Sequence, residues 1–332
     1  MIPAAFDYVA PTTIDEALAA LAEAGDEAKV LGGGQSLLPI LRMRLNAPEQ
    51  IVDLGRIDEL RGIHEDGDHV VIGAMTTYAD VIASPLLRTH AALLVQAVEE
   101  VADPQIRRRG TVGGALVHAD PAGDVGAPVL ALDAELVIRG VDGERTVPVS
   151  EFFLDLFETA VGEGELLTAI RIPKHTGWGS HYEKFVRVSH QWSIVGIAVA
   201  LRVEGGSIAE ARVGLTNMGS TPLRAPSVEA SLVGRSAADL GDAFDSVADG
   251  TNPPSDLNGD ADYRRHLARV LTRRAALTPP RGGGTAWNRR TTSPSPPRST
   301  PPGRPSWTCT GSAAASPARS SPTPATTASP AR

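Results

Sequence analysis

The residues whose types and spacing could do chemistry in this chain are, first of all, glycines. Lys29-Val30-Leu31-Gly32-Gly33-Gly34-Gln35-Ser36 and Arg109-Gly110-Thr111-Val112-Gly113-Gly114-Ala115 are two glycine-rich turns, each running into an apolar segment. Consecutive glycines lose more backbone entropy on folding than other residues, so they persist where backbone N–H groups must approach something that leaves no room for Cβ. A diphosphate is the commonest such object. The first segment lacks the Gly-Lys-Ser/Thr that completes a P-loop. It also departs from the Rossmann fingerprint, because Leu37 stands where a glycine or alanine is needed. Alone, the triplet reads equally well as a tight turn. Two such segments in one α/β region point to a shared cause, a single dinucleotide gripped by both.

The other candidate groups carry less. His118, Asp120 and Asp124 lie close in sequence, but no second histidine and no cysteine stands near them. They do not read as a metal site, and His118 reads as a loop residue. Asp103, Arg107, Arg108 and Arg109 read mostly as a solvated face. Tyr182 reads as a strand residue packing a domain interface rather than a catalytic acid. No Ser–His–Asp, Cys–His or paired-carboxylate hydrolase arrangement can be assembled.

The elements that must position these residues follow from pattern. Thr13-Ile14-Asp15-Glu16 fits a capping box, Ile14, Leu18 and Leu21 follow at helical spacing, and Gly25 stops the helix. Ala28–Leu31 reads as a short buried strand leading into the triple glycine. Leu37–Leu45 reads as a helical turn with Pro39 in its first turn, and Gln50–Asp53 as a second strand. Gly62–Ala74 alternates around Asp66-Gly67 as a hairpin. Helices are expected at Thr77–Ala83 and Leu86–Ala102, the second closed by Asp103-Pro104. Glu135–Val149 reads as a hairpin turning at Asp142-Gly143, and Leu166–Ile172 as a strand closed by Pro173. Beyond a boundary near Lys174–Gly179 come three strand-like runs, His181–Val188, Ile194–Val203 and Ile208–Thr216, then helical segments with a basic stretch around Tyr263–Arg274.

The fold class expected is α+β. A two-part dinucleotide-binding region combines a small βαβ unit (1–56) with a mixed α/β subdomain (57–175). A C-terminal domain (176–277) pairs an antiparallel sheet with a helical bundle. Residues 278–332 differ from all of this. No Asp or Glu occurs after Asp262 and no Ile, Leu or Val after Leu277, so the segment cannot bury enough surface to offset its ordering entropy. Its composition predicts disorder, and the abruptness of the change points to a reading-frame shift.

Charge and cysteine use narrow the function. The part up to Leu277 holds 24 Lys and Arg against 39 Asp and Glu, a formal charge of −15. That acidic body argues against nucleic acid as partner. The lone cysteine, Cys309, lies in the tail, so the body offers no disulfide framework, zinc site or iron–sulfur cluster of its own. The start has no basic n-region or apolar h-region, and no apolar run approaches bilayer length. The expectation is a cytoplasmic protein with no transmembrane segment.

Several motifs, in order, resemble the FAD-binding medium subunit of molybdenum hydroxylases of the carbon monoxide dehydrogenase and xanthine dehydrogenase type. They are Leu31-Gly32-Gly33-Gly34-Gln35-Ser36, Thr111-Val112-Gly113-Gly114, Asp120-Pro121-Ala122-Gly123-Asp124, Glu165-Leu166-Leu167 and Tyr182-Glu183-Lys184. Gly214-Leu215-Thr216-Asn217 and Thr221-Pro222-Leu223-Arg224-Ala225 mark the C-terminal domain. The resemblance spans roughly residues 1–275. It implies that Lys29–Ser36 (Lys29, Val30, Leu31, Gly32, Gly33, Gly34, Gln35, Ser36) and Thr111–Ala115 (Thr111, Val112, Gly113, Gly114, Ala115) wrap the FAD diphosphate with backbone N–H donors. Ser36 and Thr111 would add hydroxyls. Asp124 would hold hydroxyls of the cofactor, Val101 and Leu167 would touch it through backbone and apolar surface, and Lys184 would be a further contact. Trp192 matches an aromatic position near the isoalloxazine.

The resemblance also implies partners: a small [2Fe-2S] subunit supplying electrons and a large molybdopterin subunit where substrate is hydroxylated, assembled as a dimer of heterotrimers. The electrons would leave for a quinone, NAD or oxygen. Two other functions stand beside this one. A self-contained FAD oxidoreductase would need a substrate pocket with acid/base residues over the flavin. A dinucleotide-binding scaffold would assemble a complex without redox turnover.

Overall fold

A computed structural model describes residues 2–236 and 239–278. The expectations for the tail, Cys309 included, lie outside the described residues from 279 onward.

The N-terminal unit is β1 (Asp7–Val9), α1 (Ile14–Ala24), β2 (Ala28–Leu31), α2 (Leu37–Met43) and β3 (Gln50–Asp53). The strands form a parallel sheet in the order β1-β3-β2. Parallel neighbours require crossovers, which α1 and α2 supply. Thr13 caps α1 through the Glu16 N–H, and Glu16 reaches back to the Thr13 N–H, so the box closes as expected. Such a cap is worth about 1 kcal/mol. Ile14, Ala17, Leu18 and Leu21 then bury against Val52, Leu54, Ile57 and Leu60. β2 is an edge strand, and this corrects the expectation that it is buried: only Ala28 is, while Lys29 and Val30 face solvent. Its central neighbour β3 buries Ile51 and Val52 completely. The three-residue β1 is the sheet's other edge.

The second unit contains β4 (Ile63–Asp66), β5 (His69–Gly73), α3 (Tyr78–Ala83), α4 (Pro85–His90), α5 (Ala92–Glu99), α6 (Pro104–Arg107), α7 (Val112–His118) and α8 (Gly126–Ala131). There follow β6 (Glu135–Gly140), β7 (Gly143–Pro148), β8 (Phe153–Asp155), β9 (Glu158–Thr159) and β10 (Leu166–Pro173). An antiparallel sheet runs β4-β5-β10-β6-β7, and β8–β9 is a separate small hairpin. The β6–β7 hairpin turns on Val141-Asp142, one residue earlier than expected, because Gly140 pairs with Gly143. The single helix expected over Leu86–Ala102 is two. Ser84 caps α4 through the Leu87 N–H with Pro85 in its first turn, and Ala91 leaves helical geometry at φ −143. Asp103-Pro104 opens a helix rather than only closing one: Asp103 accepts from the N–H groups of Gln105 and Ile106.

The remaining elements are β11 (Gly179–Phe185), β12 (Val195–Glu204), β13 (Ser207–Thr216), β14 (Leu223–Arg224), α9 (Pro226–Leu232) and α10 (Ala261–Leu277). The strands form one antiparallel sheet in sequence order. Gly205 and Gly206 join β12 to β13 with φ of 58 and 86, the positive values a two-residue primed hairpin turn demands. Ile197, Val199, Val213 and Leu215 meet Val228, Leu267 and Leu271 in a core distinct from that under β10. Tyr182, Ala198 and Ala200 belong instead to the core that holds Leu94, Ala127 and Ile170, so β11 and β12 continue the second unit's packing.

Candidate cofactor site

The two glycine segments meet. A Cβ on Gly33 would stand 2.2 Å from the Arg109 carbonyl oxygen and 2.8 Å from the Gly110 Cα. On Gly32 it would stand 3.2 Å from Thr111 Oγ1, and on Gly114 4.0 Å from the Gly33 nitrogen. The β2–α2 turn is therefore laid directly against the chain that enters α7. This changes the reason for the second glycine of the triplet, which makes room for the protein's own backbone. Gly34 is needed on conformational grounds, with φ of 77.

The segments then differ in what they leave open. The second is the first turn of a helix, not a free loop. Thr111 is its N-cap and accepts from the Gly114 N–H at 3.2 Å. The Val112 N–H donates to the Thr76 carbonyl at 3.1 Å and the Gly113 N–H to the Ala74 carbonyl at 2.9 Å, while Ala115 N–H closes on the Thr111 carbonyl. In the first segment the carbonyls of Gly34 and Ser36 accept from Leu38 and Ile40 to start α2. The N–H groups of Gly33, Gly34, Gln35 and Ser36 donate to no acceptor among the described residues. Buried or ligand-facing backbone donors need partners, and four successive open N–H groups suit the oxygens of an anion.

Other expected residues are joined to this junction in steps. The Ala74 N–H donates to the Thr168 carbonyl, next to Leu167, which is buried in β10 at a bulge. Tyr78 donates its N–H to the Gly110 carbonyl and lies with its ring against that glycine. Burial, and secondarily the Asp124 carboxylate, push the Tyr78 hydroxyl pKa well up. Asp124 sits just before α8 and is 5% exposed. Its Oδ1 accepts from Tyr182 at 2.8 Å and Ser193 at 2.7 Å, and its Oδ2 from Lys184 Nζ at 2.7 Å. Lys184 also donates to the Glu100 carbonyl, the residue before Val101. Burial raises the Asp124 carboxyl pKa, opposed first by the Lys184 charge and then by the three donors. Burial followed by the same carboxylate raises Tyr182 far above its usual value. A carboxylate offers about four lone-pair directions, so three protein donors leave one for a further hydroxyl.

Trp192 is 56% exposed, and its ring lies 4.0 Å from where a Cβ on Gly123 would be. Lys29 and Val30 stand on the exposed part of β2, the strand that leads into the turn. Val101 and Ala115 are half-buried. His118 is corrected from loop to helix: it ends α7, with its ring 5.2 Å from that of Phe157. Arg107 is corrected too, since its guanidinium donates to the carbonyls of Val101, Ala102 and Glu99 at the end of α5, while Arg108 and Arg109 are exposed. Asp120 Oδ1 accepts from the Ala122 N–H and shapes the turn before Asp124. Ser193 and Asn217 were missed as site residues. A serine after a tryptophan carries no periodic signal, and Asn217 entered only as part of a family motif.

A parallel βαβ unit whose open-donor turn is laid against a helix start fits a dinucleotide-binding class outside the Rossmann and P-loop folds. The comparisons with known proteins are specific. Residues 4–175 match the FAD binding domain in molybdopterin dehydrogenase, and residues 180–278 the CO dehydrogenase flavoprotein C-terminal domain. The carbon monoxide dehydrogenase medium chain of Hydrogenophaga pseudoflava is 42% identical over 282 residues, covering 83% of this chain and 97% of that one. The solved structure of that organism's carbon monoxide dehydrogenase lacking the Mo-pyranopterin moiety superposes with a TM-score of 0.80 at 43% identity, over 83% and 97% of the two chains. Quinoline 2-oxidoreductase from Pseudomonas putida 86 gives 0.79 at 31% identity, with the same coverage. The chain belongs to the family of FAD-binding medium subunits of molybdenum hydroxylases. It is an oxidoreductase subunit and its cofactor is FAD. No helix among the described residues is long and apolar enough to cross a membrane.

Proposed function

We propose that this chain is the FAD-carrying electron-transfer subunit of a carbon monoxide dehydrogenase-type molybdenum hydroxylase. It works between a small [2Fe-2S] subunit and a large molybdopterin subunit, assembled as a dimer of heterotrimers in the cytoplasm. The observation that carries the reading is the junction at Gly33, which sets a turn with four open N–H groups against the chain entering α7. When bound, FAD supplies the redox chemistry, taking electrons from the iron–sulfur partner and releasing them to an external acceptor.

The chain's own work is placement. Gly33, Gly34, Gln35 and Ser36 offer N–H groups to the diphosphate, with the Ser36 hydroxyl beside them. Gly32, Thr111, Val112, Gly113, Gly114 and Ala115 build the floor against which that turn is set. Asp124 holds a cofactor hydroxyl on its remaining lone pair, and Lys184 keeps its charge compensated. Val101 and Leu167 contribute backbone and apolar contact, Lys29, Val30 and Leu31 bring the turn to its place, and Trp192 covers the flavin ring. The domain boundary is placed near 174–179, a stretch that includes the gap 176–179 between the two matched family regions.

Native purification tests this reading. The chain is expected to come out yellow with an iron–sulfur and a molybdopterin protein, and the complex to reduce a dye with carbon monoxide. Activity with xanthine alone would move the substrate to another branch of the family. A yellow chain that turns over a small substrate without partners would favour a stand-alone oxidoreductase.

A further inference from the structure

Asp124 and Ser193 are 69 positions apart, and their hydrogen bond depends on two separate backbone segments being held in register. One buried residue bonds to both segments. Asn217, directly after β13 and 8% exposed, donates its backbone N–H to the Pro121 carbonyl at 2.8 Å. Its side-chain Nδ2 donates to the Ser193 carbonyl at 2.8 Å and reaches the Ile194 carbonyl at 3.3 Å. The residue adopts φ of 61, the left-handed region that asparagine tolerates better than other non-glycine residues. Pro121, Asp124, Ser193 and Asn217 thus close a ring: turn to carboxylate, carboxylate to hydroxyl, serine carbonyl to amide, amide back to turn.

The far side of that ring is braced independently. Arg264, fully buried in α10, donates Nη1 to the Ile194 carbonyl and Nη2 to Asp256 at 2.8 Å. A buried guanidinium is costly unless paired; Asp256 pairs its charge, and its other arm holds one carbonyl of the Ser193 segment. The Trp192 ring, next in the chain, rests beside Gly123 in the turn at the ring's other end.

We infer that Asn217 is a positioning residue for the flavin site: by tying the Pro121 turn to the Ser193 segment it keeps the Ser193 hydroxyl on Asp124 and so fixes the carboxylate's free lone pair for a cofactor hydroxyl. The inference rests on the placement of FAD at Asp124 described above. Asn217 makes no hydrogen bond to the carboxylate; its effect passes through Ser193.

A double-mutant cycle on the full-length chain tests this, with FAD dissociation constants read by titrating apoprotein and following flavin fluorescence and visible circular dichroism. Asn217→Gly keeps the backbone N–H and the positive φ and drops only the side-chain donors. Ser193→Ala removes the hydroxyl from Asp124. Each single variant is expected to weaken FAD about tenfold, the size of one hydrogen bond to a charged group. The double variant is expected to remain near tenfold, because both changes break the same link. Wild-type affinity in Asn217→Gly, or a double variant near a hundredfold, overturns the inference. If Asn217→Gly does not fold, Asn217→Ala likewise keeps the backbone N–H while losing the side-chain donors, with the same two outcomes. Asp124→Asn separates the levels. If it weakens FAD while Asn217→Gly does not, the inference fails and the site stands; if it leaves FAD affinity unchanged, both fall.

Discussion

The β2–α2 turn and the start of α7 are nearly the same in composition, three glycines against two with a threonine ahead, yet they spend their backbone donors in opposite ways. In the first, Gly33 to Ser36 leave four N–H groups open. In the second, Thr111, Thr76 and Ala74 close the N–H groups of Gly114, Val112 and Gly113 from inside. The first segment is built to hold something that is not protein, and the second to hold the first. A glycine run signals close approach, and only the fold says what is approached.

The contrast is most sharply broken at Gly33. Gly33→Val drives a branched side chain into the Arg109 carbonyl, so the turn must lift off α7. Loss of all bound FAD is expected, with a destabilisation of roughly 3 kcal/mol and a melting temperature lower by on the order of 10 °C. Flavin absorbance per chain and thermal unfolding check both parts, and full flavin content would show that the junction is dispensable.

Gly113→Ala attacks the floor instead. Its Cβ would fall 2.5 Å from that of Ala74. A loss of about 2 kcal/mol is expected, while FAD affinity of the folded fraction stays within about threefold of wild type. A larger affinity loss than stability loss would mean that the second segment donates to the cofactor after all.

Thr111→Ala removes the N-cap of α7 and should cost about 1 kcal/mol in urea unfolding, with Thr111→Ser restoring most of it.

The smallest effect concerns Asp103, which caps α6 just ahead of the second segment. The Ile106 N–H first, and the Gln105 N–H after it, hold its carboxyl below the usual value of 3.8. Its folded pKa is depressed, so its contribution is complete above the unfolded value and is lost as pH falls through the folded one. Stability measured from pH 5 downward should therefore decline less in Asp103→Asn, which keeps an acceptor without a titrating proton. Identical slopes would exclude the cap as a source of acid sensitivity.

How much of this was legible in the sequence follows from the range of each interaction. The capping box at Thr13 and Glu16 and the hairpin at Gly205-Gly206 are local, and they appear in the structure where the pattern placed them, while the first hairpin turns on Gly67-Asp68, one residue later than expected. β1 was missed because three residues carry no period, and the break at Ala91 because it uses neither glycine nor proline. At the site, both glycine segments and Asp124 were visible as residue types. Their uses were not, since Gly33 meets Arg109 only after the βαβ unit docks, and Asp124 takes Tyr182, Lys184 and Ser193 from chain 58 to 69 positions away.

The claim that the first segment supplies the run of successive open donors is tested most directly by peptide-resolved hydrogen–deuterium exchange of the full chain with and without FAD. Amides of Gly33–Ser36 should exchange freely in the apoprotein and become protected when FAD binds, while those of Val112 and Gly113 should be protected in both states. Unchanged exchange at 33–36, or protection gained only at 111–115, would contradict it.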